Sequence, residues 1–322
     1  MQSNPETAPE QGAPIPLVVI LGPTAVGKTE IALQLAERLG GEIVSADSRL
    51  FYRGMDIGTA KPSKRELARV PHHLVDITEP DDVISLARFQ SAARQAIAEI
   101  TGRDRLPFLV GGTGQYIRAV IEDWLVPRVK PSPVMRAVLE SWSGQIGPAG
   151  LHQRLAVLDP QAAEKIDYRN LRRTIRALEV ILLTGQKFST QRQRGCAAYH
   201  TLQLGLNRPR SELYARIDER VDSMLKAGLV AEVQSLLDKG YPADLPTLSA
   251  IGYREIVPYL ARETSLEEAI LQIKRATRIL VRRQANWFKE QDPHIHWFLA
   301  GPETAAAMEV ETKAWLAKLG KD

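Results

Sequence analysis

Leu17 to Leu21 is an unbroken apolar run, with no polar position left to face water. A strand covered on both faces needs such a run, and parallel strands of α/β sheets are covered that way. The run leads directly into Gly22-Pro23-Thr24-Ala25-Val26-Gly27-Lys28-Thr29. Ile31, Leu35 and Leu39 then recur at a spacing of four, which predicts an amphipathic helix stopped by Gly40-Gly41. Glu42 to Ala46 reads as a second strand ending at Asp47. Between Asp82 and Ile100, the residues Val83, Leu86, Ala93, Ile97 and Ile100 share one helical stripe. Leu106 to Val110 is a further buried strand, closed by Gly111-Gly112. The alternation of strand and helix predicts an α/β fold built on a doubly wound parallel sheet with helices on both faces.

The pattern changes after Ile121. Residues 122–200 hold helical stretches broken by Pro and Gly, with no good strand, and read as a small all-helical insertion domain. Thr201 to Leu206 alternates Leu202, Leu204 and Leu206, a return to the sheet. From Ser211 onward helices dominate, over Leu213 to Leu237 and Ser265 to Lys289. The expected division is a disordered leader over 1–14, a core formed by 15–121 and 201–322, and the insertion between its parts. Met1 to Pro14 lacks the basic and apolar regions of a secretory signal. No apolar run approaches the roughly 18 residues of a membrane helix. One cysteine, Cys196, can form neither an internal disulfide nor a zinc finger, which points to a reducing compartment, the cytoplasm. Nothing in the pattern implies an obligate protein partner or more than a monomer.

Net charge is +4, too mild to identify a nucleic-acid partner, but arginines crowd 169–176 and 274–283. Arg169, Arg172, Arg173 and Arg176 fall on one helical side, with Glu179 in reach. Lys274, Arg278 and Arg282 step by four beside Arg275 and Arg283, and no acidic residue lies between Gln272 and Lys289. Intrahelical pairing cannot neutralise that second stripe, so it is the stronger candidate for gripping phosphates; a solvated face is the alternative for both.

Gly22 to Thr29 matches G-x-x-x-x-G-K-T. Its amides can cradle phosphate oxygens, the following helix aims its positive end at the same anion, Lys28 adds a cation, and Thr29 offers a hydroxyl to Mg²⁺. The pattern follows a strand and opens a helix, as the motif requires. It demands a polyphosphate chain without saying which: a nucleoside triphosphate or a prenyl diphosphate. Asp47, at the carboxyl end of the neighbouring strand, can take a proton from a nucleophile, hold Mg²⁺ through water, or serve as a turn or helix-cap residue. Phe51 and Tyr52 have a claim to line the pocket. His72 and His73 lack the companions of a metal site and read as structural, and Trp287-Phe288 as core packing.

At this point the chain resembles the tRNA dimethylallyltransferases, whose core looks like that of P-loop kinases. The resemblance spans roughly 17–300 and rests on ordered strings. These are the phosphate loop, Ser45-Ala46-Asp47-Ser48-Arg49, Tyr52-Arg53-Gly54-Met55-Asp56-Ile57-Gly58-Thr59-Ala60-Lys61-Pro62, and Pro71-His72-His73-Leu74-Val75-Asp76. Val110-Gly111-Gly112-Thr113-Gly114, Arg173-Thr174-Ile175-Arg176-Ala177-Leu178-Glu179, Ile251-Gly252-Tyr253-Arg254-Glu255 and Thr277 to Phe288 follow. The string Gly54 to Pro62 is the most specific.

The resemblance implies a P-loop NTPase-like core and a prenyl transfer. A dimethylallyl group would pass from dimethylallyl diphosphate to the N6 amine of the adenosine at position 37 of tRNAs reading codons that begin with U. Asp47 would be the general base, and the loop with Lys28 and Thr29 would hold the diphosphate. Thr113 would hydrogen-bond it and Arg210 would neutralise it from the opposite side. Mg²⁺ is the implied cofactor. Asp47, Ser48, Arg49, Leu50 and Thr113, then Arg172, Arg173, Thr174, Ile175 and Arg176, then Ser249, Ala250, Ile251, Gly252, Tyr253 and Arg254 match segments that touch the anticodon stem-loop. The basic helix with Lys274, Arg275, Arg278 and Arg282 matches another, and the insertion domain is expected to contact tRNA. Leu50 stands where many members have Gln, which removes one contact to the target base; Gln115 replaces a usual Leu. The lack of a C-terminal zinc finger suits the bacterial form. Two alternatives remain at this stage, an ATP-dependent small-molecule kinase and a non-catalytic RNA-binding protein that keeps the loop as a relic.

Overall fold

The computed structural model describes residues 15–127, 129–192 and 198–320; the side chains of 191 and 192, the segment 1–14 and Cys196 lie outside that description. The chain divides into two compact units, Met1–Ile121 with Ala197–Asp322, and Glu122–Cys196. In the first unit the elements run β1 (Ile15–Leu21), α1 (Lys28–Leu39), β2 (Gly41–Ser45), α2 (Lys64–Arg69), β3 (His72–His73), α3 (Leu86–Thr101), β4 (Leu106–Gly111) and α4 (Gly114–Ile121). The second unit carries α5 (Pro133–Leu158), α6 (Pro160–Lys165) and α7 (Leu171–Thr184). The first unit resumes with β5 (Tyr199–Asn207), α8 (Arg210–Lys226), α9 (Leu229–Asp238), α10 (Tyr253–Leu260), α11 (Leu266–Ala285), β6 (Ile295–Leu299) and α12 (Thr304–Leu319).

The six strands form one sheet in the order β3-β2-β4-β1-β5-β6, every pair parallel. Successive side chains of a strand point to opposite faces. In β1, accordingly, Leu17, Val19 and Leu21 enter one core while Val18 and Ile20 enter the other. The first core takes Phe89, Ala93 and Ile97 of α3 and Ile273 of α11; the second takes Ile31 and Leu35 of α1, Ile217 of α8 and Met308 of α12. Because β4 lies between β1 and β2, the turns after β1, β2 and β4 meet at one edge of the sheet, where ligands of open α/β folds bind.

Several predicted spans are corrected. The continuous helix over 213–237 is two helices, because Gly228 adopts φ 103° between α8 and α9, a left-handed geometry that other residues rarely take. Val83 is half exposed and precedes α3, whose start is set by the Ser85 hydroxyl accepting from Arg88 N. α11 stops at Ala285, and β3, β6 and α12 add elements that the apolar pattern did not mark. Phe51 and Tyr52 are core residues, not pocket lining: Phe51 stacks on Phe89 and Tyr116, and the Tyr52 hydroxyl accepts from Ile84 N at 3.2 Å.

The second unit packs Leu139, Leu151 and Leu155 of α5 against Ile175 and Leu178 of α7, with α5 interrupted at Gly147-Pro148. Glu179 is fully buried there, paired with Arg136 at 3.0 Å and Arg176 at 2.5 Å, so its carboxyl stays below the usual carboxylate range despite burial.

The string Asp56 to Pro62 is held by one carboxylate. Glu232 of α9 accepts from the backbone N–H groups of Asp56, Ile57 and Gly58 at 2.9, 2.7 and 3.0 Å, and from the Tyr253 hydroxyl at 2.6 Å. Gly58 packs directly on the Tyr253 ring, where a Cβ would approach Cε2 to 2.4 Å. Lys61, nearly buried, bonds the Tyr52 carbonyl at 2.9 Å and pairs with Asp56 and Asp76. Removing an acceptor shared by several inward-facing donors costs more than its mean bond energy. We therefore expect Glu232→Ala to lower stability by roughly 2–4 kcal/mol and Glu232→Gln by less, since an amide oxygen still accepts. Thermal and denaturant unfolding of both variants would check this; equal losses would contradict it.

Candidate active site

The loop after β1 turns into α1 through Gly27, whose φ of 110° lets the chain reverse without a side chain in the way. Lys28 is the first residue of α1. Its Nζ donates to the Pro23 carbonyl at 2.8 Å, inside its own loop. Two arginines fasten the outer side of the loop by its carbonyls: Arg216 Nε donates to Ala25 O and Arg208 Nε to Val26 O, both at 2.9 Å. Those two carbonyls are thereby engaged away from any ligand, as the Pro23 carbonyl is by Lys28.

That cleft is lined on its polar side by Lys28, Thr29, Ser45, Asp47 and His72, and on its apolar side by Ala32, Ile43, Leu50, Pro62, Val75 and Val110. Asp47 lies two residues past the end of β2. Its Oδ1 accepts from Arg49 N at 3.0 Å, which orients the carboxylate, and Oδ2 has no hydrogen-bond partner among the described residues. Arg49 reaches the Thr247 carbonyl at 3.2 Å, tying the 47–50 turn to the 247–254 segment. Desolvation brings the Lys28 ammonium down to about 8, partly opposed by the charge of Asp47 and assisted by Arg220. Desolvation also lowers Arg220, again opposed by Asp47. Asp47 therefore shares its surroundings with two cations that burial disfavours.

The expected site residues separate. Lys28, Thr29, Asp47 and Leu50 line one cleft; Thr113, half-buried after β4, and Arg210 do not line it. Arg210 is exposed at the start of α8 and has no hydrogen bond to the loop, whereas Arg208 and Arg216 bond loop carbonyls and the charge of Arg220 acts on Lys28. Their signal was the spacing of arginines on α8, one turn apart at 216 and 220. Thr174 and Ile175 are corrected, since both side chains lie in the core of the second unit. So are Ala250 and Tyr253, buried at 4% and 0% exposure, with the Tyr253 hydroxyl committed to Glu232. Gly252 is buried and Ile251 half-buried, while Ser48, Arg49, Ser249 and Arg254 keep surface, Arg254 paired with Glu255.

The stripe on α11 is not free of counter-charge. Lys274 pairs with Asp222 at 2.7 Å and Arg278 with Asp218 at 2.6 Å, both from the facing helix α8, and Arg278 lies over the Tyr214 ring. Arg275, Arg282 and Arg283 are exposed and have no acidic partner among the described residues. In the second unit Arg172 is exposed and unpaired among the described residues, whereas Arg169 pairs with Asp167 and Arg176 with Glu179. His73 pairs with Glu42 and His72 bonds the Val70 carbonyl, and no cluster of three or more His, Cys, Asp or Glu suited to a metal occurs among the described residues. No helix among those residues is long and apolar enough to cross a membrane.

A parallel sheet with a glycine-lysine loop at its carboxyl edge defines a P-loop-like protein, and here a carboxylate shares the cleft with that loop. The family model for IPP transferases matches residues 50–291, and the chain belongs to that family. A tRNA dimethylallyltransferase of Roseiflexus sp. (strain RS-1) is 54% identical over 275 residues, 85% of this chain and 90% of that protein. The crystal structure of the full-length tRNA isopentenylpyrophosphate transferase from Bacillus halodurans is similar with a TM-score of 0.71 at 41% identity, covering 95% of this chain and 98% of that one. A eukaryotic dimethylallyltransferase captured acting on tRNA gives a TM-score of 0.79 at 27% identity, over 93% of this chain and 77% of that one.

The Lys28 shift sets a pH signature. Its folded value lies below the free-lysine value, so the ammonium is lost as pH rises through about 8 and an anion then finds a weaker site. Inorganic diphosphate should bind progressively more weakly above that pH, by up to about tenfold per unit, with proton uptake on binding. Calorimetry across pH, with Lys28→Arg as the always-charged control, would show it. Parallel pH profiles for the two proteins would count against it.

Proposed function

We propose that this chain transfers a dimethylallyl group from dimethylallyl diphosphate to the N6 amine of the adenosine at position 37 in a tRNA anticodon loop, releasing diphosphate. The observation that carries the reading is the Asp47 carboxylate, with Oδ2 unengaged, in the same cleft as Lys28 and Thr29. The family membership supports it.

In this reading the loop amides and Lys28 bind the diphosphate, and its charge restores the ammonium that desolvation weakens. Negative charge grows on the bridging oxygen as the allylic C–O bond breaks, and the loop, Lys28 and Arg220 stabilise it. The attacking amine is weak because its lone pair is shared with the ring. Its nitrogen forms the new bond to carbon while its proton passes to Asp47 Oδ2. The apolar wall of Ala32, Ile43, Leu50, Pro62 and Val75 offers the five-carbon tail a dry surface and keeps water from the cation-like carbon. The adenine reaches Asp47 by leaving its stack, which costs little in a loop that is already single-stranded.

Mg²⁺ would neutralise diphosphate charge during departure. Thr29, exposed in the first turn of α1 and lining the same cleft as Asp47, would offer it a hydroxyl. Arg275, Arg282 and Arg283 on α11, the 47–50 turn, Ser249 and Arg254 in the first unit, and Arg172 and Arg173 in the second, are the surfaces proposed to meet the tRNA. Lys274 and Arg278 serve chiefly to join α11 to α8.

The experiment combines the protein with an anticodon stem-loop, Mg²⁺ and dimethylallyl diphosphate, and reads adenosine by mass spectrometry for one added isopentenyl unit. Asp47→Ala should keep stem-loop affinity and lose about a hundredfold to ten-thousandfold in transfer rate. Near-normal turnover by that variant would remove Asp47 as the base. ATP turnover on a small acceptor with no prenyl transfer would replace the whole reading.

A further inference from the structure

We infer that Gln284 is a positioning residue that ties the phosphate loop to the turn after β4, whose Gly111 lines the same cleft, and so fixes the loop in the geometry that receives a diphosphate. Gln284 lies in the last turn of α11 and is 9% exposed. Its Oε1 accepts from Thr24 N at 2.9 Å, and its Nε2 donates to Gly112 O at 3.1 Å. Only one orientation of the amide satisfies both contacts, since a backbone N–H requires the oxygen and a carbonyl requires the nitrogen. One planar group thereby spans the loop after β1 and the turn after β4.

The glycines of Gly111-Gly112-Thr113-Gly114 are explained by what they admit. A Cβ on Gly112 would lie 2.5 Å from Gln284 Nε2 and 3.0 Å from the Gly22 carbonyl. A Cβ on Gly114 would lie 2.4 Å from Trp287 Cβ and Cγ, and a Cβ on Gly111 would lie 2.7 Å from the Ala46 carbonyl oxygen. The turn is a socket: Gly111 closes on the strand end before Asp47, Gly112 receives Gln284, and Gly114 receives Trp287. The Arg118 guanidinium donates to Trp287 O at 2.8 Å and fastens the end of α11 over α4. Thr113 lies between Gly112, which receives Gln284, and Gly114, which receives Trp287. A hydrogen bond to Thr24 N also places that amide outside the cradle, so the anion is left to the amides further along the loop.

The inference rests on the diphosphate reading of the loop, and the test separates the two. Gln284→Met keeps the length and the buried fit but neither hydrogen bond. Amide exchange at Thr24 should accelerate while Val19 in β1 stays protected, which distinguishes local release from general loosening if the variant is less stable. Inorganic diphosphate should bind roughly five- to tenfold more weakly to it than to the unaltered protein, and the KM for dimethylallyl diphosphate should rise. Gln284→Glu retains an acceptor for Thr24 and loses the donor to Gly112; it should keep Thr24 protected yet weaken diphosphate binding. Diphosphate affinity within about twofold of the unaltered protein in Gln284→Met, or unchanged exchange at Thr24, would overturn the positioning role. Absence of diphosphate binding by the unaltered protein would instead overturn the reading of the loop.

Discussion

A half-buried cation with no carboxylate bonded to it governs this site. Lys28 donates to a carbonyl of its own loop and lies near Asp47 without an ion pair to it. An ammonium in that position is costly, and the shift toward about 8 expresses the cost. An arriving anion is the partner that relieves it. Had Asp47 bonded Lys28 directly, both charges would be satisfied within the protein and neither would remain for a ligand. The unengaged Oδ2 and the desolvated ammonium are two sides of one arrangement.

Keeping two such groups apart requires a frame that does not yield. Arg208 and Arg216 pull on the loop from outside, Gln284 ties it to the β4 turn, and Glu232 clamps the segment that ends at Pro62 in the cleft wall. Every one of these braces comes from the part of the first unit that follows the second unit in sequence. The loop and Asp47 lie within the first fifty residues, and what fixes them arrives more than 150 residues later. The long return of the chain to β5 therefore has a mechanical consequence beyond completing the sheet.

This division explains what could be read from the chain alone. β1, the phosphate loop, α1 and the strand before Asp47 are local: a run of apolar residues, a glycine spacing and a period of four contain all the information needed. The positions of Gln284, Arg208 and Arg216 are not local, because a side chain's partner across 260 residues leaves no periodicity. The buried Thr174, Ile175 and Tyr253 show a related limit. Matching a string assigns a whole segment to a surface, whereas a helix turns every third or fourth residue inward, so part of any such string must pack. The division of 213–237 was legible in Gly228, but the apolar residues on both sides concealed it.

The charge on α11 carries the same lesson into recognition. Read alone, the helix has a continuous basic stripe with nothing to balance it. In the fold, Asp218 and Asp222 on α8 stand opposite Arg278 and Lys274 at the same four-residue spacing, so the two helices neutralise each other along the seam where they pack. Cations in that seam are partly dehydrated and already paired, and a phosphate would have to displace a carboxylate to use them. Arg275, Arg282 and Arg283 are exposed and have no acidic partner among the described residues. A weakly basic chain can thus bind a polyanion with few residues, provided its other cations are bound to acids of its own; the net charge of +4 is a poor guide to how much positive surface a partner meets.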